Sequence, residues 1–266
     1  MRYRVLPIGG TARIPGPGEG DALSDGRVAL VSGGSRGIGA ATVRRLALDG
    51  WDVSFCHDRD EQAALSVEKA VSELGVRVLA VQADLTAGAA VRSWFQRAEE
   101  ELGPVQAVVS CAGITRDRPL ALIEDADWRA VIDTGLDGVF HLCRAALPVM
   151  TQRQSGKIIA VSSVSGVYRQ APGGSANSAG IIAFTKALAS QTARYGIQVN
   201  AVVPGVIESD LSAIWPEEGK TRLTEAIVLR RFGSAPEVAD RVAFLLSDQA
   251  GDLTGRVLEM DGGISL

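Results

Sequence analysis

The chain has 266 residues and a formal net charge of −4, with 46% hydrophobic and 22% charged residues. This composition supplies a sizeable core and argues against bulk disorder, and the length suits one α/β domain. No run of Lys and Arg offers the basic surface that nucleic-acid binding needs, and no apolar stretch reaches the length that crosses a bilayer. The three cysteines lack metal-like spacing, so we expect a reduced, cytoplasmic protein without a metal site.

The first 26 residues differ from the rest of the chain. They are rich in Gly and Pro and contain no apolar segment of the signal-peptide type. We therefore predict a flexible N-terminal extension over 1–26 and a single domain over 27–266. Contact of the extension with a partner subunit is the alternative.

From Arg27 the chain alternates β-branched runs with longer amphipathic segments, as parallel βαβ units do. Helices are predicted over 37–49 and 61–74, the second ending before Gly75. Strands, some including the following turn, are predicted over 27–34, 52–56, 76–84, 105–113, 156–163, 197–205 and 256–263. The pattern predicts a Rossmann-like, doubly wound parallel sheet with helices on both faces.

The motif SGGSRGIG, residues 32–39, follows a buried strand and opens a helix. Small residues there let the backbone approach a pyrophosphate, and the helix N-terminus supplies unpaired N–H groups. The motif predicts a dinucleotide site, with a tight structural turn as the alternative. The residues assigned to it are Gly33, Ser35, Arg36, Gly37, Ile38 and Gly39.

Together with later segments, this motif resembles the short-chain dehydrogenase/reductase family, and within it the bacterial 3-oxoacyl-(acyl-carrier-protein) reductases. The segments are CAG at 111–113, ITRD at 114–117, IIAFTK at 181–186, PGVIES at 204–209, RFG at 231–233, PEVA at 236–239 and MDGG at 260–263. The resemblance covers Arg27 to Leu266 and implies a nicotinamide-dependent oxidoreductase.

The resemblance also implies which residues surround the cofactor. His57 stands at the place of the acid that would bind the adenosine 2′-hydroxyl, and Arg36 and Arg59 are candidate ligands of a 2′-phosphate. This favours NADP(H), while Asp58 keeps NAD(H) open. Asp84 would bind the adenine or cap the next helix. The remaining cofactor positions are Leu85, Cys111, Ala112, Gly113, Pro204, Gly205 and Ile207.

The catalytic positions depart from the family. The resemblance implies a Ser that polarises the carbonyl, a proton-donating Tyr, a Lys four residues on and an Asn that anchors a water. Ser163 matches the Ser, but the Asn place falls on Gly135, and the Tyr and Lys places fall on Gly174 and Ser178. No Lys lies between positions 157 and 186. A second alignment puts Ser178 at the Tyr place and still supplies no Lys.

Two other side chains are candidates for the missing acid. Tyr168, five residues after Ser163, is predicted as the surrogate, with a substrate-packing or surface aromatic as the alternative. His141 follows Gly135 on the same predicted helix, and an ordinary partly buried histidine is the preferred interpretation.

The sequence thus predicts an NADPH-dependent ketoreductase with a non-standard proton source, acting on a β-ketoacyl or polyketide-like carbonyl. The substrate would be a small-molecule ketone or one bound to acyl-carrier protein. Two alternatives are a non-catalytic homologue that serves as partner or binding protein, and a non-redox cyclase or dehydratase. The resemblance further implies a homodimer or homotetramer through 137–151, 178–195 and the C-terminal strand, or pairing with an active homologous subunit.

Overall fold

The structure is a computed structural model that describes residues 26–116, 118–166, 172–209 and 215–266. Its strands are β1 (Val28–Ser32), β2 (Asp52–His57), β3 (Val78–Gln82), β4 (Val105–Ser110), β5 (Gly156–Val161), β6 (Ile197–Pro204) and β7 (Val257–Met260). They form one parallel sheet in the order β3-β2-β1-β4-β5-β6-β7. The predicted doubly wound sheet is confirmed, and each strand ends before its predicted limit or within one residue of it.

Helices cover both faces of the sheet. They are α1 (Gly37–Leu48), α2 (Glu61–Ser72), α3 (Gly88–Leu102), α4 (Asp125–Ile132), α5 (Gly138–Arg153), α6 (Pro172–Thr192), α7 (Glu217–Ala226) and α8 (Ala235–Leu246). Side chains alternate across the strands, so Val28 and Leu30 of β1 enter the core beneath α3, α5 and α6. Ala29 and Val31 enter the core beneath α1, α2 and α8.

The strand order reverses between β1 and β4. In open parallel sheets, ligands bind beyond the carboxyl ends of the strands at such a point, because the two connections leave in opposite directions and open a crevice. The loops after β1 and β4 therefore meet there, with the loops after β5 and β6 beside them. The predicted site residues follow these strands and β2 and β3.

One helix contains a turn that the sequence did not predict. A π-helical turn, Asp133–Asp137, joins α4 directly to α5 and has Gly135 buried at its centre. Such turns are rare and occur frequently at functional sites. The sequence predicted a helix over 126–140 without this turn, and the structure shows that the helix continues through it.

The predicted extension over 1–26 lies outside the described residues, except for Gly26, and stays a prediction. Within the described ranges, no helix is long and apolar enough to cross a membrane. The same ranges contain no group of three or more His, Cys, Asp and Glu side chains that could hold a metal ion.

Candidate functional site

The glycine loop after β1 is held by close backbone packing. A Cβ on Gly33, whose φ is +65°, would lie 3.0 Å from Ala112 Cα, and one on Gly34 would lie 2.5 Å from Phe55 Cβ. A Cβ on Gly39 would overlap the Gly33 carbonyl group. These contacts require glycine at the three positions, and they fix the start of α1 at the crevice.

The N-terminus of α1 is built to receive an anion. The Arg36 side chain makes no capping hydrogen bond, and the first turn has no acidic residue. The first bond of the helix runs from Ala40 N–H to Arg36 O (3.1 Å), so the N–H groups of the first turn, Gly37 to Gly39, have no acceptor within the helix. The space in front of Gly37 is open, with nothing within 4 Å of a Cβ placed there. These residues fit a pyrophosphate.

The end of β2 presents a histidine between two ion pairs. His57 is 8% exposed, and its Nδ1 is buried with no hydrogen-bond partner among the described residues. Arg36 Nη1 lies 3.6 Å from Asp60 Oδ2, and Arg59 Nε lies 3.2 Å from Asp58 Oδ2. Both predicted phosphate ligands therefore face a carboxylate, and a 2′-phosphate would have to compete for them.

The loop after β3 corrects one expectation. Asp84 Oδ1 accepts hydrogen bonds from Thr86 N–H (2.9 Å) and Thr86 Oγ1 (2.8 Å). The N-cap residue of α3 is Ala87, so the interpretation of Asp84 as a helix cap is wrong. Because α3 begins after Ala87, the Asp84 carboxylate bonds Thr86 in a local turn instead of bonding the N-terminus of the helix. The second carboxylate oxygen of Asp84 remains available at the surface.

His141 is structural, as its preferred interpretation predicted. Its Nδ1 lies 2.8 Å from the carbonyl oxygen of Leu85, and its ring packs against Gly88. The side chain thus ties α5 to the loop after β3. This bond takes up one ring nitrogen in holding the backbone of that loop.

The end of β4 is braced by a hydroxyl. Ser32 Oγ accepts hydrogen bonds from Cys111 N–H (3.1 Å) and Ala112 N–H (3.2 Å), which joins the loops after β1 and β4. Burial raises the pKa of the Cys111 thiol to about 12, so it stays protonated at neutral pH and is not a nucleophile. Gly113 is exposed beside it. Backbone groups, and not the Cys111 thiol, therefore form this wall of the crevice.

The end of β5 holds a cluster of hydroxyl groups, the serine cluster, formed by Ser162, Ser163, Ser165 and Ser178. Ser163 Oγ accepts a hydrogen bond from Ser165 N–H (3.2 Å), and because it acts there as acceptor, its own proton is free to donate. Ser162 Oγ donates to Ser178 O (3.1 Å), and Ser165 Oγ lies 3.1 Å from Ser178 Oγ.

The two residues predicted to stand at the Tyr and Lys places, Gly174 and Ser178, lie on α6 and contact Ser165 of the serine cluster. Ser178 is only 4% exposed, and its hydroxyl is spent on Ser165. Gly174 offers its carbonyl oxygen to Ser165 Oγ at 3.5 Å. The Ser178 hydroxyl and the Gly174 carbonyl oxygen thus both contact Ser165 inside the protein.

The two lysines that flank this stretch, Lys157 and Lys186, do not take the place of the lysine that the resemblance implies. Lys157 Nζ donates to the carbonyl oxygens of Leu246 (3.0 Å) and Ser247 (2.8 Å) at the end of α8. Desolvation by burial lowers the pKa of Lys157. Lys186 is exposed on α6. Tyr168, the predicted surrogate acid, lies outside the described residues, so its role stays a prediction.

The loop after β6 completes the crevice. Gly205 N–H donates to Met260 O (3.0 Å), and Ile207 pairs with Gly233 in an isolated bridge. A cavity of about 250 Å³ opens beside this bridge. Its lining includes Ile207, Gly233, Arg241, Glu259 and Met260. The predicted Pro204, Gly205 and Ile207 thus lie where backbone groups face the neighbouring strand end.

Sequence reasoning missed Asn177. A Cβ on Gly135 would lie 2.7 Å from Asn177 Cγ, so the amide of α6 fills the space that the glycine leaves. The sequence showed only that position 135 has no side chain. The packing of α6 against the π-turn shows that the Asn177 amide fills the space left there.

Comparisons with known proteins show what the chain is similar to. Residues 33–265 match a family model described as enoyl-(acyl carrier protein) reductase. The chain is 37% identical over 239 residues to the 3-oxoacyl-[acyl-carrier-protein] reductase of Staphylococcus epidermidis (strain RP62A), covering 89% of this chain and 98% of the relative. The corresponding protein of Staphylococcus aureus (strain Mu50) is 38% identical over 239 residues, covering 89% and 97%. That of Escherichia coli (strain K12) is 36% identical over 245 residues, covering 90% and 98%.

Proposed function

Because the chain belongs to the short-chain dehydrogenase/reductase family, we propose that it is an NADPH-dependent ketoreductase of 3-oxoacyl groups. The observation that carries the proposal is the glycine loop, where backbone contacts among Gly33, Gly34 and Gly39 leave the N-terminus of α1 open to an anion. A nicotinamide cofactor bound there supplies the hydride. The 3-oxoacyl substrate is taken from the names of the relatives.

Ser163 is the residue that would polarise the substrate carbonyl. Its oxygen accepts a hydrogen bond from Ser165 N–H, which leaves its own proton to donate to a substrate carbonyl. A hydroxyl oriented before the substrate arrives stabilises developing negative charge on the carbonyl oxygen without reorganising. Positioning of the reactants alone lowers a barrier by about 7–11 kcal/mol, so such an enzyme can turn over without a strong acid.

The proton source is the unusual part of the proposal. Gly174 carries no side chain, and Ser178 is buried and bonded to Ser165. The proton would come from Tyr168, from the substrate, or from water held near Ser163. A tyrosine without an adjacent cation keeps a pKa near 10. It would then be a usable acid in reduction and a poor base in alcohol oxidation.

The proposed substrate is carried on an acyl-carrier protein, as in the names of the relatives, with a free ketone as the alternative. Assembly into a homodimer or homotetramer stays a prediction, made for α5, α6 and the C-terminal strand. An exposed Phe140 on α5 and a groove between Phe95 of α3 and Val149 of α5 are consistent with a covered surface. Light scattering at micromolar concentration checks it, and a monomer would contradict it.

The deciding experiment combines binding with turnover. Purified protein is titrated with NADPH and NADH by calorimetry, and NADPH oxidation is then followed with a 3-oxoacyl thioester and with a panel of ketones. Tight NADPH binding with substrate-dependent oxidation supports the ketoreductase. Tight binding without turnover favours a partner or binding protein, and product formation without NADPH consumption favours a non-redox enzyme.

A further inference from the structure

The turn that follows β3 lies where the adenosine half of the proposed cofactor would end. The sheet places β2 beside β1, and β3 beside β2. A dinucleotide whose pyrophosphate lies at the N-terminus of α1 has its adenosine ribose at the end of β2. The adenine base would then lie over the end of the next strand, β3, beside the turn formed by residues 84–86. Since Asp84 is exposed in this turn, its second carboxylate oxygen can accept a hydrogen bond from the amino group of the base.

One peptide group of the turn is held at both ends. Its N–H, that of Thr86, donates to Asp84 Oδ1 at 2.9 Å, and its carbonyl oxygen, that of Leu85, lies 2.8 Å from His141 Nδ1. A carbonyl oxygen can only accept, so His141 Nδ1 carries the proton and donates the hydrogen bond. The first bond is made within the turn, whereas the second comes from α5. The carbonyl group of Leu85 is therefore tied to α5 by one imidazole.

Two glycines let α5 and the imidazole come this close to the turn. Gly138 lies about one helical turn before His141, and a Cβ on Gly138 would lie 3.3 Å from Leu85 Cβ. Gly88 is the first residue of α3, and a Cβ there would lie 3.0 Å from His141 Cδ2 and 3.2 Å from His141 Nε2. These distances are shorter than ordinary van der Waals contacts, so an alanine at position 88 would displace the imidazole from the Leu85 carbonyl.

A turn that is held in advance binds a ligand more tightly than a loose one. Exposed turns lie at the low end of local stability, and fixing their backbone costs conformational entropy. A ligand that has to order the turn loses that amount from its binding free energy, whereas a preordered turn spares it. The bond from His141 holds the Leu85 carbonyl without any ligand present, so it removes part of this cost.

We infer that His141 is a positioning residue for the adenine end of the cofactor: its bond to the Leu85 carbonyl presets the turn after β3 and thereby raises the affinity for NADPH. The inference rests on the proposed function, because it takes the dinucleotide as the ligand. His141 acts through Leu85 and not on the reacting atoms. Cofactor affinity should therefore depend on this histidine, whereas the rate of hydride transfer should not.

The test measures dissociation constants by calorimetry for NADPH and for adenosine 2′,5′-bisphosphate, which carries only the adenosine end. His141→Ala should raise both constants about fivefold, the scale of one neutral hydrogen bond, and should leave kcat at saturating NADPH unchanged. His141→Asn places an amide N–H close to the position of Nδ1 and should restore both constants to within about twofold of the unmodified protein. Gly88→Ala displaces the imidazole and should match His141→Ala.

Arg153→Ala is the matched control. Arg153 Nη1 lies 2.7 Å from Glu99 Oε1 and ties the other end of α5 to α3, so its loss loosens the same two helices away from the turn and should change neither constant. The inference is overturned if His141→Ala binds both ligands as tightly as the unmodified protein does. It is also overturned if His141→Asn or Arg153→Ala weakens binding as much as His141→Ala, or if NADPH is affected and the bisphosphate is not.

The binding measurements separate this inference from the proposed function. If the unmodified protein binds NADPH but reduces no ketone, the ketoreductase proposal fails, and the constants of the variants still decide the role of His141. If ketones are reduced and all variants bind alike, only the role of His141 fails. If the unmodified protein binds neither ligand, both are overturned. Should His141→Ala fail to fold, His141→Asn is compared with Gly88→Ala, and equal constants for these two overturn the inference.

Discussion

The cofactor half and the catalytic half of this crevice are built by different means. In the cofactor half, the contacts of Gly33, Gly34 and Gly39 are made by backbone and Cβ atoms, and the anion site consists of N–H groups. In the half proposed to be catalytic, function depends on side chains, but Gly174 has none, and the Ser178 hydroxyl is buried and bonded to Ser165. The backbone contacts of the cofactor half leave no room for added side-chain atoms, whereas proton transfer needs a particular side chain at a particular place.

The contrast indicates which half a substitution can alter without loss of the fold. Any side chain larger than hydrogen at position 39 meets the Gly33 carbonyl group, which cannot rotate away. Within the serine cluster, Ser165 Oγ contacts Ser178 Oγ, while Ser162 Oγ donates to the backbone oxygen of Ser178, and removal of one hydroxyl leaves only a small space. We therefore expect substitutions in the cofactor half to disrupt the fold and substitutions in the catalytic half to leave it intact, and five predictions examine this contrast.

The largest effect is expected from Gly39→Ala. The overlap with the Gly33 carbonyl forces the loop away from α1, and we expect a loss of about 3 kcal/mol in the free energy of unfolding, the upper end for overpacking. Urea unfolding measures it, and calorimetry should show no NADPH binding. Gly219→Ala in α7, where a Cβ meets nothing within 4 Å, is the control and should be neutral or stabilising. A Gly39→Ala protein that is stable and still binds NADPH would refute the prediction that the cofactor half does not tolerate substitution.

In the catalytic half, Ser163→Ala should fold normally and lose turnover. Removal of one preorganised donor to the carbonyl oxygen costs about 10²-fold in kcat, and NADPH affinity should not change. The thermal unfolding midpoint should stay within a few degrees, because Ser163 accepts a single bond from Ser165 N–H.

Tyr168→Phe, assayed beside it, tests the surrogate acid. If Tyr168 gives the proton, the unmodified enzyme should reduce ketones much faster than it oxidises alcohols near neutral pH, because a phenol with a pKa near 10 is protonated there. Full activity in both Ser163→Ala and Tyr168→Phe would remove both residues from the mechanism.

A smaller effect is expected from Arg36→Ala. Arg36 lies at the cofactor half, and it reaches Asp60 only at 3.6 Å, so it can turn toward a 2′-phosphate. We expect NADPH affinity to fall about tenfold, the scale of one charge-assisted hydrogen bond, with NADH affinity unchanged. Arg59→Ala should have less effect, since that side chain is 92% exposed beside Asp58. NADH binding as tight as NADPH binding in the unmodified protein would contradict the assignment of NADP(H).

The smallest effect concerns the rim near Ile207. Arg231 lowers the pKa of Glu237 to about 2 from its ordinary 4.5, with help from hydrogen bonds of Ser234. A carboxyl group whose pKa is lowered in the folded state stabilises it above pH 4.5, and this contribution is lost as the pH falls toward 2. Glu237→Gln should therefore lower Tm slightly at pH 7, and the difference from the unmodified protein should vanish near pH 2. If the difference in Tm between the two proteins stayed constant from pH 7 to pH 2, the charge of Glu237 would not contribute to stability.

Much of the cofactor half could be predicted from the sequence because it is local. The alternation of hydrophobic runs predicts the strands, and SGGSRGIG places Gly33 to Gly39 at the junction of β1 and α1. In the catalytic half the sequence predicted missing side chains, and this stays a prediction. The places of Gly174 and Ser178 follow from spacing, but their internal bonds to Ser165 depend on how α6 packs.

Periodicity and spacing act along the chain, so the residues themselves were enough to predict the parallel sheet and the glycine loop and to show that no lysine lies between positions 157 and 186. Three contacts became visible only in the folded protein: Asp84 closes a turn with Thr86, Arg36 faces Asp60, and Asn177 fills the space over Gly135. Close packing selects such partners by shape between groups that no sequence pattern links. No pattern within one element records which side chain of another element occupies a space that a glycine leaves.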